Sequence, residues 1–224
     1  MTICDYVDTG VEMLSSLLSW PARVEKLICL GRSRSGWSPI EFRDVWSGLV
    51  PHLLSVQSVR VGSVTNPTLY PPLSGMLTGV DFTLFGALTF LSLSYWVTGS
   101  GPGESCLLAP HLETFEWTFD ADDERLLFLS HFGQKEEDFL RRLAAAAVER
   151  KIPLRNMDIV FTPAPTVKTQ DEGVEYLGVT EAEFEYPWDR MDRLAHEMRL
   201  SAIELSYNKP SVSREQFEVA VFRA

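Results

Sequence analysis

Apolar residues recur along this chain in a short unit, apolar-x-x-apolar-x-apolar, that returns six times. It reads Val24, Leu27, Cys29; Val56, Val59, Val61; Leu88, Leu91, Leu93; Leu112, Phe115, Trp117; Leu154, Met157, Ile159; and Leu200, Ile203, Leu205. The starts are 32, 32, 24, 42 and 46 residues apart. Positions four and six of a unit are two residues apart, so in a strand both point the same way. The first position has the opposite parity and reaches the same core only if the chain bends before the strand. One unit cannot cover its own apolar face, so units must stack. The pattern therefore predicts six strands laid side by side, with Leu27, Val59, Leu91, Phe115, Met157 and Ile203 as neighbours in one core.

The intervals carry helical signals. Ser38-Pro39-Ile40-Glu41 is a capping box with proline at the first helical position. Phe42, Val45, Trp46, Leu49 and Leu53 follow at helical spacing, and Pro51 marks the end. Phe139, Leu140, Leu143 and Ala147 mark a second helix within 136–151. Pro187 opens a third, with Trp188, Met191, Ala195 and Met198 on one side. An earlier helix is expected around Val11, Leu14 and Leu18, while Gly75 and Gly79 leave 73–84 ambiguous. Helix and strand alternate, so the strands are expected to be parallel with right-handed crossovers.

Two α/β architectures satisfy this: a curved solenoid with strands on the concave side and helices on the convex side, or a doubly wound sheet. The repeated bend, the variable unit length and the lack of a glycine-rich phosphate loop favour the solenoid. The organisation expected is a capping helix over 1–23, six units over 24–208, and a C-terminal cap or final strand over 209–224. In that tail Phe217, Val219 and Val221 alternate like a strand.

Charge narrows the partners. The chain of 224 residues is 45% hydrophobic and 23% charged, too apolar for a disordered protein, and its net charge is -11. That charge disfavours nucleic acid and anionic membranes. Residues 1–103 hold 7 acids and 6 bases, and residues 104–224 hold 24 and 14, so the second half favours basic partners. Cys4, Cys29 and Cys106 suit neither a disulfide framework nor a CxxC zinc site, which points to a reducing compartment, cytoplasmic or nuclear. The acidic N-terminus lacks the basic start of a signal peptide. Residues 82–103 carry no charge, but Ser, Thr and Gly stud them, as expected of a buried strand with loops rather than a membrane span.

Catalytic motifs fail on inspection. In Gly31-Arg-Ser33-Arg-Ser35-Gly36, Ser35 stands where a nucleophile elbow needs glycine, and Trp37 stands where a phosphate loop needs lysine. Gly99-Ser-Gly101-Pro-Gly103 reads as a loop. The cluster Asp120, Asp122, Asp123, Glu124 lacks the glycine and the closing glutamate of a calcium loop. His52, His111, His131 and His196 show no metal-ligand spacing. No catalytic residue, metal site or cofactor is expected.

The six units are similar to the core of the leucine-rich repeat, LxxLxLxxN/C. The last matches through Asn208, whereas Arg32, Val64, Trp96, Asp120 and Thr162 hold the asparagine place elsewhere. With the stretches 107–119 and 139–161, the region 11–208 resembles the degenerate repeat region of fungal F-box-type proteins. In that family an F-box docks on the adaptor of a cullin–RING ubiquitin ligase and the repeats hold the substrate. About twenty residues precede the first unit, room for one helix, and the F-box itself is not visible. The resemblance implies a non-catalytic scaffold with a protein partner of the ubiquitin-ligase-substrate kind.

On such a scaffold the flanking strand positions face the concave side: Lys26 and Ile28; Ser58 and Arg60; Phe90 and Ser92; Thr114 and Glu116; Asn156 and Asp158; Ala202 and Glu204. The row changes from basic to acidic. The partner-binding candidates are Lys26, Arg60, Phe90, Glu116, Asp158 and Glu204, with Tyr95, Trp96 and Tyr207 at the rim because aromatic residues are enriched in binding hot spots. Two other readings remain open: a small α/β enzyme with a cryptic site at the strand ends, and a remnant of a larger receptor.

Overall fold

The structure, a computed structural model, describes residues 2–4, 23–30, 46, 48–62, 81–98, 104–119, 129–163 and 185–222. Among the described residues seven strands form one all-parallel sheet in chain order: β1 (Thr2–Cys4), β2 (Lys26–Leu30), β3 (Ser58–Val61), β4 (Phe90–Ser94), β5 (Thr114–Phe119), β6 (Asn156–Phe161) and β7 (Glu204–Tyr207). Among the described residues the α-helices with defined ends are α1 (Tyr95–Thr98), α2 (Gln134–Glu149), α3 (Pro187–Arg199) and α4 (Arg214–Phe222), and Trp46, Gly48 and Leu49 are helical as well. The expected helix around 11–18, the capping box at 38–41, the turn at 31–36, the loop at 99–103 and the acidic cluster at 120–124 lie outside the described residues.

The register follows the repeat through five units. Leu27, Val59, Leu91, Phe115 and Met157 are successive partners across β2 to β6, and all are fully buried. Their first-position residues, Val24, Val56, Leu88, Leu112 and Leu154, are buried too, despite their opposite parity. The bend that allows this has one recurring backbone form. The Glu25 carbonyl accepts from the N–H groups of Gln57 and Ser58, at 2.8 and 3.1 Å. Gln57 does the same for Thr89 and Phe90, Thr89 for Glu113 and Thr114, and Glu113 for Arg155 and Asn156. One carbonyl thus turns each strand entry onto the next, and the apolar residue before the bend falls into the core.

The sixth unit departs from this. Leu205, not Ile203, pairs with Met157, so the motif that looked most regular is two residues out of register with the others. Leu200 is 86% exposed rather than buried. The cause is the end of α3. Leu200 is its C-cap residue, Ala202 takes a left-handed conformation (φ 57°), and the Ile203 N–H closes back on the Met198 carbonyl at 3.2 Å. The helix stop thereby uses residues that the pattern assigned to the bend. The same stop ends α2, where Lys151 has φ 59° and the Ile152 N–H reaches the Ala147 carbonyl. Asn208 still ties the unit in: its amide donates to the Phe161 carbonyl (2.9 Å) and accepts from the Phe161 N–H (2.6 Å).

Helices α1, α2 and α3 all meet the apolar face. Trp117 contacts Phe139 of α2, Phe161 contacts Trp188 of α3, and the Trp117 indole donates to Thr98 of α1. The apolar stripes expected on α2 and α3 are the buried ones. Between these helices the carboxylate of Glu137, fully buried, accepts from Arg141 (2.7 Å), Arg190 (3.0 Å) and Arg193 (3.2 Å).

The C-terminal tail is a helix, which corrects the strand alternative for 209–224. Ser213 and Gln216 form a reciprocal cap: the Ser213 N–H donates to the Gln216 side chain and the Gln216 N–H to the Ser213 hydroxyl. Phe217 then packs edge-on against Tyr186, and Arg214 lies over the same ring. At the other end β1 adds a strand that the repeat did not predict, so residues 2–4 are not helical. No helix among the described residues is long and apolar enough to cross a membrane.

Candidate interaction face

The second face of the sheet is where the strands turn their polar residues. Parity sends Lys26, Ser58, Phe90, Thr114, Asn156 and Glu204 to this side as one row in register. Ile28, Arg60, Ser92, Glu116, Asp158 and Ser206 form the next row. Most are partly or fully exposed, and Ser92 is buried among its neighbours. The six predicted strand positions Lys26, Arg60, Phe90, Glu116, Asp158 and Glu204 are therefore brought together on one surface.

Charge on this face is ordered and partly paired. The Arg60 guanidinium reaches across β4, and its Nη2 donates to both carboxylate oxygens of Glu116, at 2.8 and 3.2 Å. Ser92, on the strand between them, donates to the same carboxylate at 2.7 Å. The cation lies 5.8 Å from the Phe90 ring centroid. Farther along, the Ser206 hydroxyl donates to Asp158, and the Asn156 amide approaches the Thr114 hydroxyl at 3.4 Å. Glu204 is exposed, with no ion pair among the described residues. The cations thus stand on β2 and β3, and the anions on β5, β6 and β7.

Two rim aromatics belong elsewhere. Tyr95 opens α1 on the helix-covered side, stacked on Phe119 at 4.8 Å and edge-on to His131. Burial and the neighbouring Glu136 carboxylate push its hydroxyl well above the ordinary tyrosine value. Glu136 itself accepts from the Gly133 N–H at the start of α2, and burial raises its carboxyl. Tyr207 shares the parity of Leu205, so it also faces the helices. Its hydroxyl donates to Asp192 of α3, and burial together with that bond pushes it to about 12. Strand parity places Tyr207 and the first turn of α1 places Tyr95, neither of which adjacency to a strand end reveals. The side chain of Trp96 lies outside the described residues. Ala202 occupies the left-handed turn; Glu204 takes the place expected for it beside Asn156, and Ser206 takes the place expected for Glu204 beside Asp158. The signal missed was the α3 stop, which sets the β7 register.

Among the described residues no three His, Cys, Asp or Glu side chains gather closely enough to hold a metal ion. Cys106 is half-buried, and burial raises its thiol, which disfavours the reactive thiolate. No protein-family model matches the chain, and no curated protein or solved structure shows significant similarity to it.

Proposed function

We propose that the chain is a non-catalytic protein-interaction scaffold, an irregular leucine-rich-repeat-like solenoid that holds a polypeptide partner on the open face of its sheet. One observation carries the reading: an all-parallel sheet has helices against one face and a polar, charge-ordered surface on the other. Parallel sheets of ordinary α/β proteins are covered on both faces. A stack of repeats removes that need, because each strand buries only its inner side chains against its own unit and its neighbours. The bifurcated bend recurring at four junctions supports the same reading. The resemblance to the substrate-binding repeats of F-box-type ubiquitin ligase receptors supplies the partner class, a protein to be held rather than transformed.

The test is a surface block. Thr114→Trp and Asn156→Trp place indoles on the open face, and Val148→Trp places one on the exposed side of α2. Affinity capture from native extract, quantified by mass spectrometry, should lose its specific partners with the first two and keep them with the third. Equal capture by all three variants would overturn the proposal, as would substrate turnover by the pure protein.

A further inference from the structure

We infer that the outer edge of β7 takes an extended segment of a partner polypeptide as a further strand, parallel to β7, with hydroxyl residues on the open face and β-branched apolar residues on the helix side. This edge is separate from the open face, and neither assignment depends on the other. Among the described residues β7 is the outermost strand at its end of the sheet. The Glu204 N–H donates to the Arg155 carbonyl at 2.7 Å and the Asn208 N–H to the Ile159 carbonyl at 3.3 Å. In a parallel ladder that spacing turns the main-chain groups of Glu204, Ser206 and Asn208 toward β6, and those of Leu205 and Tyr207 outward.

The outward groups are left unanswered. The N–H and C=O of Leu205 and Tyr207, and the carbonyl of Ile203, make no hydrogen bond among the described residues. One strand earlier the fold closes the equivalent position. Phe161 lies past the last paired residue of β7, and the Asn208 amide answers both its N–H and its C=O, at 2.6 and 2.9 Å. No side chain does this for Leu205 or Tyr207 among the described residues.

Direction follows from the recurring bend. The carbonyls of Glu25, Gln57, Thr89 and Glu113 each take two N–H groups from the next strand, always a parallel one. Arg155 takes one, from Glu204. Ile203 stands next in that row, because Glu204 pairs with Asn156, and its carbonyl awaits a donor. An antiparallel neighbour would pair with both groups of one residue, and the Ile203 N–H is already committed to Met198. Side-chain chemistry follows from parity. The columns reaching this edge on the helix side are Met157 then Leu205, and Ile159 then Tyr207. On the open face they are Asn156 then Glu204, and Asp158 then Ser206. A strand that continues both sets places β-branched apolar residues opposite Leu205 and Tyr207, and hydroxyl residues opposite Glu204 and Ser206.

The test uses the acetylated peptide Gly-Ser-Thr-Val-Thr-Val-Ser-Gly and two isomers of equal charge, one N-methylated at both threonines and one at both valines. In parallel addition the threonine N–H groups donate to Ile203 and Leu205, and the valine N–H groups point away; antiparallel addition reverses the two. Each peptide is titrated to about 2 mM against the isotope-labelled full chain, with NMR reading shifts and amide exchange. The parent peptide is expected to bind, the valine-methylated isomer within about twofold of it, and the threonine-methylated isomer at least about tenfold more weakly, for two lost hydrogen bonds. Bound peptide should slow exchange of the Leu205 and Tyr207 amides and leave that of Val59, in mid-sheet, unchanged. No binding of the parent, equal loss by both isomers, greater loss by the valine-methylated one, or unprotected Leu205 and Tyr207 would overturn the inference. So would protection of those amides that rises with protein concentration alone, which would give the edge to a second copy. Thr114→Trp should leave peptide binding intact, and its loss there would move the peptide to the open face and overturn the edge assignment. If the peptide fails while Thr114→Trp still loses captured partners, the scaffold reading stands and only the edge assignment is wrong.

Discussion

Removing the carboxylate of Glu137 is the sharpest test of how the helical layer is held. Its side chain is fully buried, and it receives hydrogen bonds from three arginines: Arg141 at 2.7 Å, Arg190 at 3.0 Å, and Arg193 at 3.2 and 3.4 Å. Arg190 is nearly as buried, with 9% of its side chain exposed. Glu137→Ala takes from that guanidinium its nearest carboxylate, leaving Glu185 at 3.5 Å, and breaking a buried pair costs about 3–5 kcal/mol. Substitute partners reduce the loss. Arg190 also bonds Gln134, Arg193 has Glu185, and Arg141 has Glu197 and Asp138. The expected cost is about 3 kcal/mol, read as a lower urea midpoint at unchanged slope, with a melting temperature lower by about 6–12 °C for a chain of this size. Glu137→Met combined with Arg190→Met should recover most of the loss, because a buried pair is often replaceable by apolar residues of similar volume. A loss below about 1 kcal/mol for Glu137→Ala, or a double variant no better than the single, would refute the reasoning.

Four further outcomes follow from the same structure. Leu91→Ala should cost about 2–5 kcal/mol and Leu200→Ala less than about 0.5, although both are motif leucines, because one is fully buried and the other 86% exposed; denaturant titration of the two variants decides it. Ala202→Gly should stabilise by about 0.5 kcal/mol by relieving the left-handed residue after α3, and a lower melting temperature would show that turn to be misread. Asn208→Leu removes both side-chain bonds to Phe161 and should cost about 1–2 kcal/mol, with faster amide exchange at Phe161 than in the parent. Arginine bonds hold the carboxyls of Glu185 and Glu197 below the ordinary glutamate value of 4.5. Their contribution is present above that value and lost as pH falls through the lowered one, whereas Glu136, raised by burial, changes in the opposite sense. Arg193→Gln should therefore flatten the decline of the urea midpoint between about pH 5 and 3, and an unchanged slope would count against the assigned cause.

How the open face came to be legible is a matter of period. A strand alternates strictly, so once Leu27, Val59, Leu91, Phe115 and Met157 are taken as core, Arg60, Glu116 and Asp158 must stand on the opposite side. Lys26, Phe90 and Glu204 follow by the same rule. Nearness to strand ends puts Tyr95 and Tyr207 at the rim of that face. Parity, or the first turn of a helix, sends each to the apolar side instead. In the tail Phe217, Val219 and Val221 fit a two-residue period, while Ser213 and Gln216 carry the helix start that prevails.

The sequence alone therefore determined the alternation of apolar and polar positions, five strand units in their mutual order, the apolar stripes of α2 and α3, and the sign of charge along the open face. These depend on local periodicity, which each segment carries within itself. Only the tertiary structure decided the register of β7, the pairing of Arg60 with Glu116 across an intervening strand, the burial of Glu137 among three arginines, and which face each aromatic joins. Those outcomes depend on where one segment ends against another. A helix stop at Ala202 shifts a strand by two residues at little local cost, and only contacts between distant parts of the chain fix the result.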